Sequence, residues 1–176
     1  MSWIAFKGID HSTVLSRLGR EDTGDEATNW SGVMAGASLA GGFYVVQLEE
    51  CYDSLLAPDS LAALSQGGTL IGCQAEEHVM ASACFAWHDG KLSWQLTHDS
   101  SDGVDDLKTE GAPPPELAPL RSRAATQQKG GDEDVDYFFS VPIDLAAAVV
   151  GFHHDHASRA AFASPSSAFS RLDKIE

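Results

Sequence analysis

The stretch HVMASACFAWHDGKLSWQLTH, residues 78–98, decides the fold of this chain. Asp89-Gly90 is a dipeptide that accepts the left-handed backbone of a tight hairpin turn, and a strand pattern runs on either side of it. On the second arm Leu92, Trp94 and Leu96 alternate with Lys91, Ser93, Gln95 and Thr97. On the first, Val79, Ala81, Ala83, Phe85 and Trp87 share one face. Alternation on both arms predicts an antiparallel pair with one face buried and the other wet or in polar contact. Trp87 and Trp94 flank the turn on these apolar faces, which predicts core stacking or a cross-strand pair.

Outward from the hairpin, further strands and short helices follow one another without a regular strand-helix-strand alternation. SWIAFKG (2–8) reads as a strand, and the next segment as a helix with Asp10 as its cap, Val14, Leu15 and Leu18 on one face, and Gly19 as its stop. GFYVVQLEE (42–50) and TLIGCQAEE (69–77) read as strands separated by a short helix in APDSLAALSQGG (57–68). Residues 20–42 show no sustained period and read as a long irregular connection anchored by Trp30. After the hairpin comes an acidic, turn-rich connection with a short edge strand at 106–110, then an exposed helix ending at Gly130. The 137–141 run reads as strand-like, and IDLAAAVVG (143–151) as a helix stopped by Gly151. This order predicts an α+β class: a mostly antiparallel sheet, a central meander with the 78–98 hairpin, and helices packed on one face. A single domain over 1–156 is expected, followed by a weakly patterned tail, 157–176, whose Phe162 and Phe169 can dock on the core.

Composition narrows the function classes. The 176 residues carry 11 basic and 26 acidic side chains, a formal net charge of −15. Such a surface repels phosphate backbones and anionic lipid, so neither a nucleic acid nor a membrane is the expected partner. It favours solubility first and rapid capture of a basic protein second. The three cysteines are an odd number, the opening MSWIAFKGID has no basic segment followed by an apolar one, and no apolar run reaches 18 residues. A cytoplasmic location is the expectation.

Motifs that carry chemistry mostly fail on spacing. GFHHDH (151–156) gathers three of the seven histidines beside Asp155. His153 and His156, three apart, with a carboxylate such as Asp155, are the candidate metal ligands, but Gly151 is expected to end the helix before them, and no H-E-x-x-H is present. Histidines at a helix C-terminus also have a structural reason, their interaction with its partial negative charge. Asp132, Asp134 and Asp136 alternate as in a calcium loop, yet its sixth position would be Tyr137 and its twelfth Ile143. Cys84 and His88 are too far apart along one strand to form a catalytic pair, and a buried Cys73 reads as a small hydrophobe. The glycine pairs lack a phosphate-loop context, so no cofactor is predicted.

The remaining signal is diffuse: two acidic loops and an unpatterned stretch around Trp30. They predict a protein-binding module in which Asp99, Asp102, Asp105 and Asp106, with Asp132, Glu133, Asp134 and Asp136, steer a basic toxin or enzyme partner, and Trp30 or Tyr137 serves as aromatic anchor. In composition the chain is similar to bacterial immunity proteins, which bind and neutralise toxins. The alternative expectation is a metal-dependent hydrolase using the cluster from His153 to His156.

Overall fold

The computed structural model describes residues 1–27, 32–132, 134–155, 162–163 and 169–175. Among them, nine strands pair antiparallel throughout to form one sheet, in the order β2-β9-β3-β4-β1-β5-β6-β7-β8. In chain order the elements are β1 (Ser2–Lys7), α1 (His11–Leu18), β2 (Arg20–Glu26), β3 (Ala35–Ser38), β4 (Tyr44–Gln47), α2 (Pro58–Leu64) and β5 (Thr69–Glu76). They continue with β6 (Ala81–His88), β7 (Lys91–Asp99), β8 (Lys108–Gly111), α3 (Leu117–Gly130), α4 (Ser140–Val150) and β9 (Ser170–Lys174). The class is α+β with an antiparallel sheet, as the hairpin predicted.

The β6–β7 hairpin turns where Asp89 and Gly90 both take positive φ, 46° and 78°, the backbone a two-residue turn of this hand requires. Asp89 also ties the turn to the end of α2: its amide donates to the Gly68 carbonyl (2.9 Å), and its carboxylate accepts from the Gly67 amide (3.0 Å). A bulge lies just inside the turn, since Trp87 pairs with Leu92 while Ala86 pairs with Trp94. Ser93 is the extra residue, and it reverses the alternation. Leu92 therefore packs with Trp87 in one apolar cluster, and Trp94 joins the opposite one, so the two tryptophans do not pair. Val79 lies in the turn before β6 and is exposed, so it is not on the buried arm.

Both faces of the sheet are covered. Along β1, Trp3 and Ala5 enter a cluster with Cys73, Cys84 and Leu96 beneath α4 residues Val141, Leu145 and Ala146. Ile4 and Phe6 point the other way, to Val14 and Leu18 of α1, Leu61 and Leu64 of α2, and Phe85. The helices are thus divided over two faces, which corrects the expectation that they gather on one. The run Ser2 to Phe6, buried at every position, is the sequence mark of a strand covered on both sides.

Three local expectations are also corrected. Residues 20–42 hold two strands, because β2 is an edge strand whose side chains from Glu21 to Glu26 are all exposed, so it needs no apolar period. The 137–141 run is a turn leading into α4. The Asp136 carboxylate accepts from the Phe138 and Phe139 amides (3.0 and 3.1 Å), and Phe138 and Val141 then face the core as helical neighbours. The stretch beyond residue 156, read as a weakly patterned tail, contributes β9, which inserts between β2 and β3 with Leu172 buried. Phe162 and Phe169 pack on the core, their rings 5.8 Å apart.

Candidate functional site: an acidic end of the sheet

At the end of the sheet where β5 and β7 finish and β6 begins, the two acidic loops come together. The side chain that joins them is His98. It follows Trp94 and Leu96 at two-residue steps on β7, which puts it on the face covered by α4, opposite Ser82 of β6. Its Nδ1 lies 2.6 Å from the Asp106 carbonyl and its Nε2 2.8 Å from Asp136 Oδ2, with the ring fully buried. Both ring nitrogens thus face an oxygen atom of an acidic residue. The other Asp136 oxygen holds the entry to α4, so one buried pair ties residues 99–106 to residues 132–139.

Ser82, His98 and Asp136 have the residue types of a hydrolytic triad but not its geometry. Ser82 Oγ donates to the Phe139 carbonyl (2.7 Å), and both His98 nitrogens are already engaged. These bonds do not pair the hydroxyl with the imidazole, and together they brace the sheet against the segment before α4.

Among the described residues, some acids of these loops have ion-pair or hydrogen-bond partners and others stand exposed. Asp99 accepts from the Ser101 hydroxyl (2.7 Å) and amide (2.9 Å); the hydroxyl first, then the amide, holds its carboxyl below the usual carboxylate range. Lys108 pairs with Asp102 and lies 3.6 Å from Asp106, and the bond to Asp102 chiefly raises its ammonium pKa. Asp105, Asp132 and Asp134 are exposed, and Asp132 accepts from the Asp134 amide (3.0 Å). A cleft of about 260 Å³ opens beside the first of these loops, lined by Tyr52, Gln74, His98, Asp99, Asp102 and Lys108 among others.

Of the expected aromatic anchors, Tyr137 lies among the described residues. It is half-buried against the core, its hydroxyl accepts from the Asp132 amide (3.2 Å) and its own amide donates to Gln128 (3.0 Å). Trp30 and Glu133 lie outside the described residues. The aromatic that does stand at the cleft is Tyr52, 66% exposed, in the turn after β4. Its signal in the sequence was weak: an aromatic between Cys51 and Asp53 in a polar turn has no period to mark it.

Of the expected pair His153 and His156, only His153 lies among the described residues, and it has other neighbours there. Gly151, with φ of 79°, ends α4 as read from the sequence, and Phe152 then packs edge-on to Trp3 at 5.5 Å. His153 and His154 follow with stacked rings, 4.9 Å between centroids and 12° between planes. His153 Nε2 lies 3.8 Å from Asp144 Oδ1 on α4, and His154 Nε2 3.3 Å from Asp155 Oδ2. One donor atom from each of His153, His154 and Asp155 falls within 4.8 Å of the others, while His156 lies outside the described residues. The neighbourhood is made by consecutive residues folding over the helix end rather than by a shared helix face.

The cysteines carry no comparable site. Cys73 and Cys84 face each other across β5 and β6, and burial pushes both thiols well above the range in which a thiolate forms. The carboxylates at strand ends also stay apart in role: Glu49 pairs with Arg20 and Glu76 with His78, each at 2.8 Å. No helix among the described residues is long and apolar enough to cross a membrane. Comparison with protein-family models, with curated proteins and with solved structures finds no match for this chain.

Proposed function

We propose that this chain is a protein-binding module that presents an acidic surface to a basic partner. More specifically, it is an inhibitor of the immunity-protein kind, which neutralises a toxin or enzyme by covering it. The observation that supports this reading is the convergence of the two acidic loops on His98, with Asp106 and Asp136 at 2.6 and 2.8 Å from its two nitrogens. Two loops far apart in sequence thereby become one negative face, braced by a buried side chain and bordered by the exposed ring of Tyr52. A fixed field of one sign raises the encounter rate with an oppositely charged surface, and an exposed aromatic supplies contact area at small entropic cost. The brace at Ser82, His98 and Asp136 makes hydrolysis by this end of the sheet the weaker reading.

The test is binding to small basic proteins, any encoded beside this gene included, measured at low and high salt. The expected result is an association rate that falls about tenfold or more between low and high ionic strength, and by a similar factor when Asp99, Asp102, Asp105 and Asp134 are replaced by Asn. Binding that ignores both salt and the four substitutions, or no binding at all, sinks the proposal.

A further inference from the structure

A second cluster, at the C-terminal end of α4, brings together side chains of a different chemistry. His153, His154 and Asp155 leave the end of α4 in succession, and Asp144 stands on the helix one turn and a half before its end. We propose that His153, His154 and Asp155, with Asp144 beside them, form a binding site for a divalent transition-metal ion of the zinc class.

The donor set selects the ion. Two imidazoles with carboxylate oxygen suit zinc, cobalt, nickel or copper, whereas calcium and magnesium take oxygen ligands throughout. The spacing is suitable as well. Four-coordinate zinc with bonds of about 2.0–2.1 Å places its ligand atoms about 3.3 Å apart. Two of the carboxylate-imidazole separations are 3.3 Å, from His154 to Asp155, and 3.8 Å, from His153 to Asp144, and the ligand atoms of His153, His154 and Asp155 all lie within 4.8 Å of one another. The second Asp144 oxygen is held by Arg123, which orients the carboxylate and leaves Oδ1 towards His153.

Two adjustments accompany binding. The rings are stacked nearly parallel, so their in-plane lone pairs run side by side, and one ring must turn about its Cβ–Cγ bond to converge on an ion. His153, with a side chain 23% exposed against 5% for His154, is the ring with room to turn. The Asp155 amide donates to His153 Nδ1 (3.2 Å), and this bond is given up when the ring ligates through Nε2 and carries its proton on Nδ1. One hydrogen bond and one rotation are a small rearrangement, and they set the expectation at micromolar rather than nanomolar affinity.

The test uses the untagged full chain, stripped with a chelator and titrated with cobalt and zinc. The expected result is one equivalent of cobalt giving a visible ligand-field band, displaced by zinc, with a dissociation constant on the order of micromolar at neutral pH. His153→Gln and Asp155→Asn should each weaken binding at least tenfold, while His78→Ala and His88→Ala, at exposed histidines elsewhere, leave it unchanged. Because His153 is partly exposed, its variant should keep the native circular dichroism spectrum, which separates lost ligation from lost folding. Cobalt binding equally strong in His153→Gln, or no binding tighter than about millimolar, overturns the proposal. The acidic-face reading is unaffected by either outcome, since its variants lie at the other site.

Discussion

His98 on β7 and Asp136 ahead of α4 meet at 2.8 Å, with the imidazole wholly withdrawn from solvent and the carboxylate nearly so. This contact links the sheet to the segment leading into α4, as the Ser82 hydroxyl's bond to the Phe139 carbonyl also does, and the Asp106 carbonyl on its other nitrogen brings in the acidic loop. A buried pair of this kind is costly to break from one side, because the remaining group keeps its desolvation without its partner.

Asp136→Ala is therefore expected to lower unfolding stability by about 3 kcal/mol or more. His98→Ala should cost a comparable amount, and the double variant less than the sum of the two. Denaturant titration of the four proteins gives the coupling directly. Additive losses would show that the two residues act independently and that the brace does not exist.

Acid should weaken the start of α1. The hydroxyl of Ser12 first, then the hydroxyl and amide of Thr13, hold the Asp10 carboxyl far below the usual carboxylate range. A depressed folded-state value stabilises the folded form above the unfolded value, about 3.9, and that contribution is lost as the pH falls towards the folded one. Melting temperatures of the native chain and Asp10→Ala should differ at pH 7 and converge progressively below about pH 4. A gap that is independent of pH would assign the cap no charged component.

Gly72 is expected to be intolerant of any side chain. It sits opposite Phe85 on the neighbouring strand, and a Cβ there would lie 2.1 Å from the ring's Cε2. Gly72→Ala should destabilise by about 1–3 kcal/mol through forced movement of a buried ring. Phe85→Leu in the same chain should recover part of that loss. Unchanged stability in Gly72→Ala would mean that the ring moves freely, contrary to its packing.

Tyr52→Ala separates contact from folding. With 66% of its surface exposed, the ring contributes little to the core, so the melting temperature should change by no more than about a degree or two. Partner affinity should fall about tenfold or more if Tyr52 anchors the interface. Full affinity in this variant would remove Tyr52 from the contact surface while leaving the charge dependence to be judged separately.

How much of this was legible follows from where each residue spends its side chain. Asp89-Gly90, Asp10, Gly19 and Gly151 announce turn, cap and stops because their backbone requirements are local, and the structure places them in those roles. β2 and β9 escaped a periodic reading because an exposed edge strand and the short strand beside it have few apolar positions to repeat. Helix and strand were confused at residues 137–141 because a short apolar run has the same composition in either form. Only the carboxylate of Asp136, bonded to two amides, decides for the helix entry.

Sequence alone determined the antiparallel α+β class, the central hairpin and the concentration of negative charge in two loops, since turn chemistry, alternation and charge are properties of short stretches. Tertiary structure alone decided that the helices cover both faces, that Ser93 bulges and parts the two tryptophans, and that His98 gathers the acidic loops. It also decided which histidines become neighbours. The physical reason is common to all of these: each depends on a contact between residues distant in the chain, and such contacts are set by strand order and packing, which no local pattern encodes.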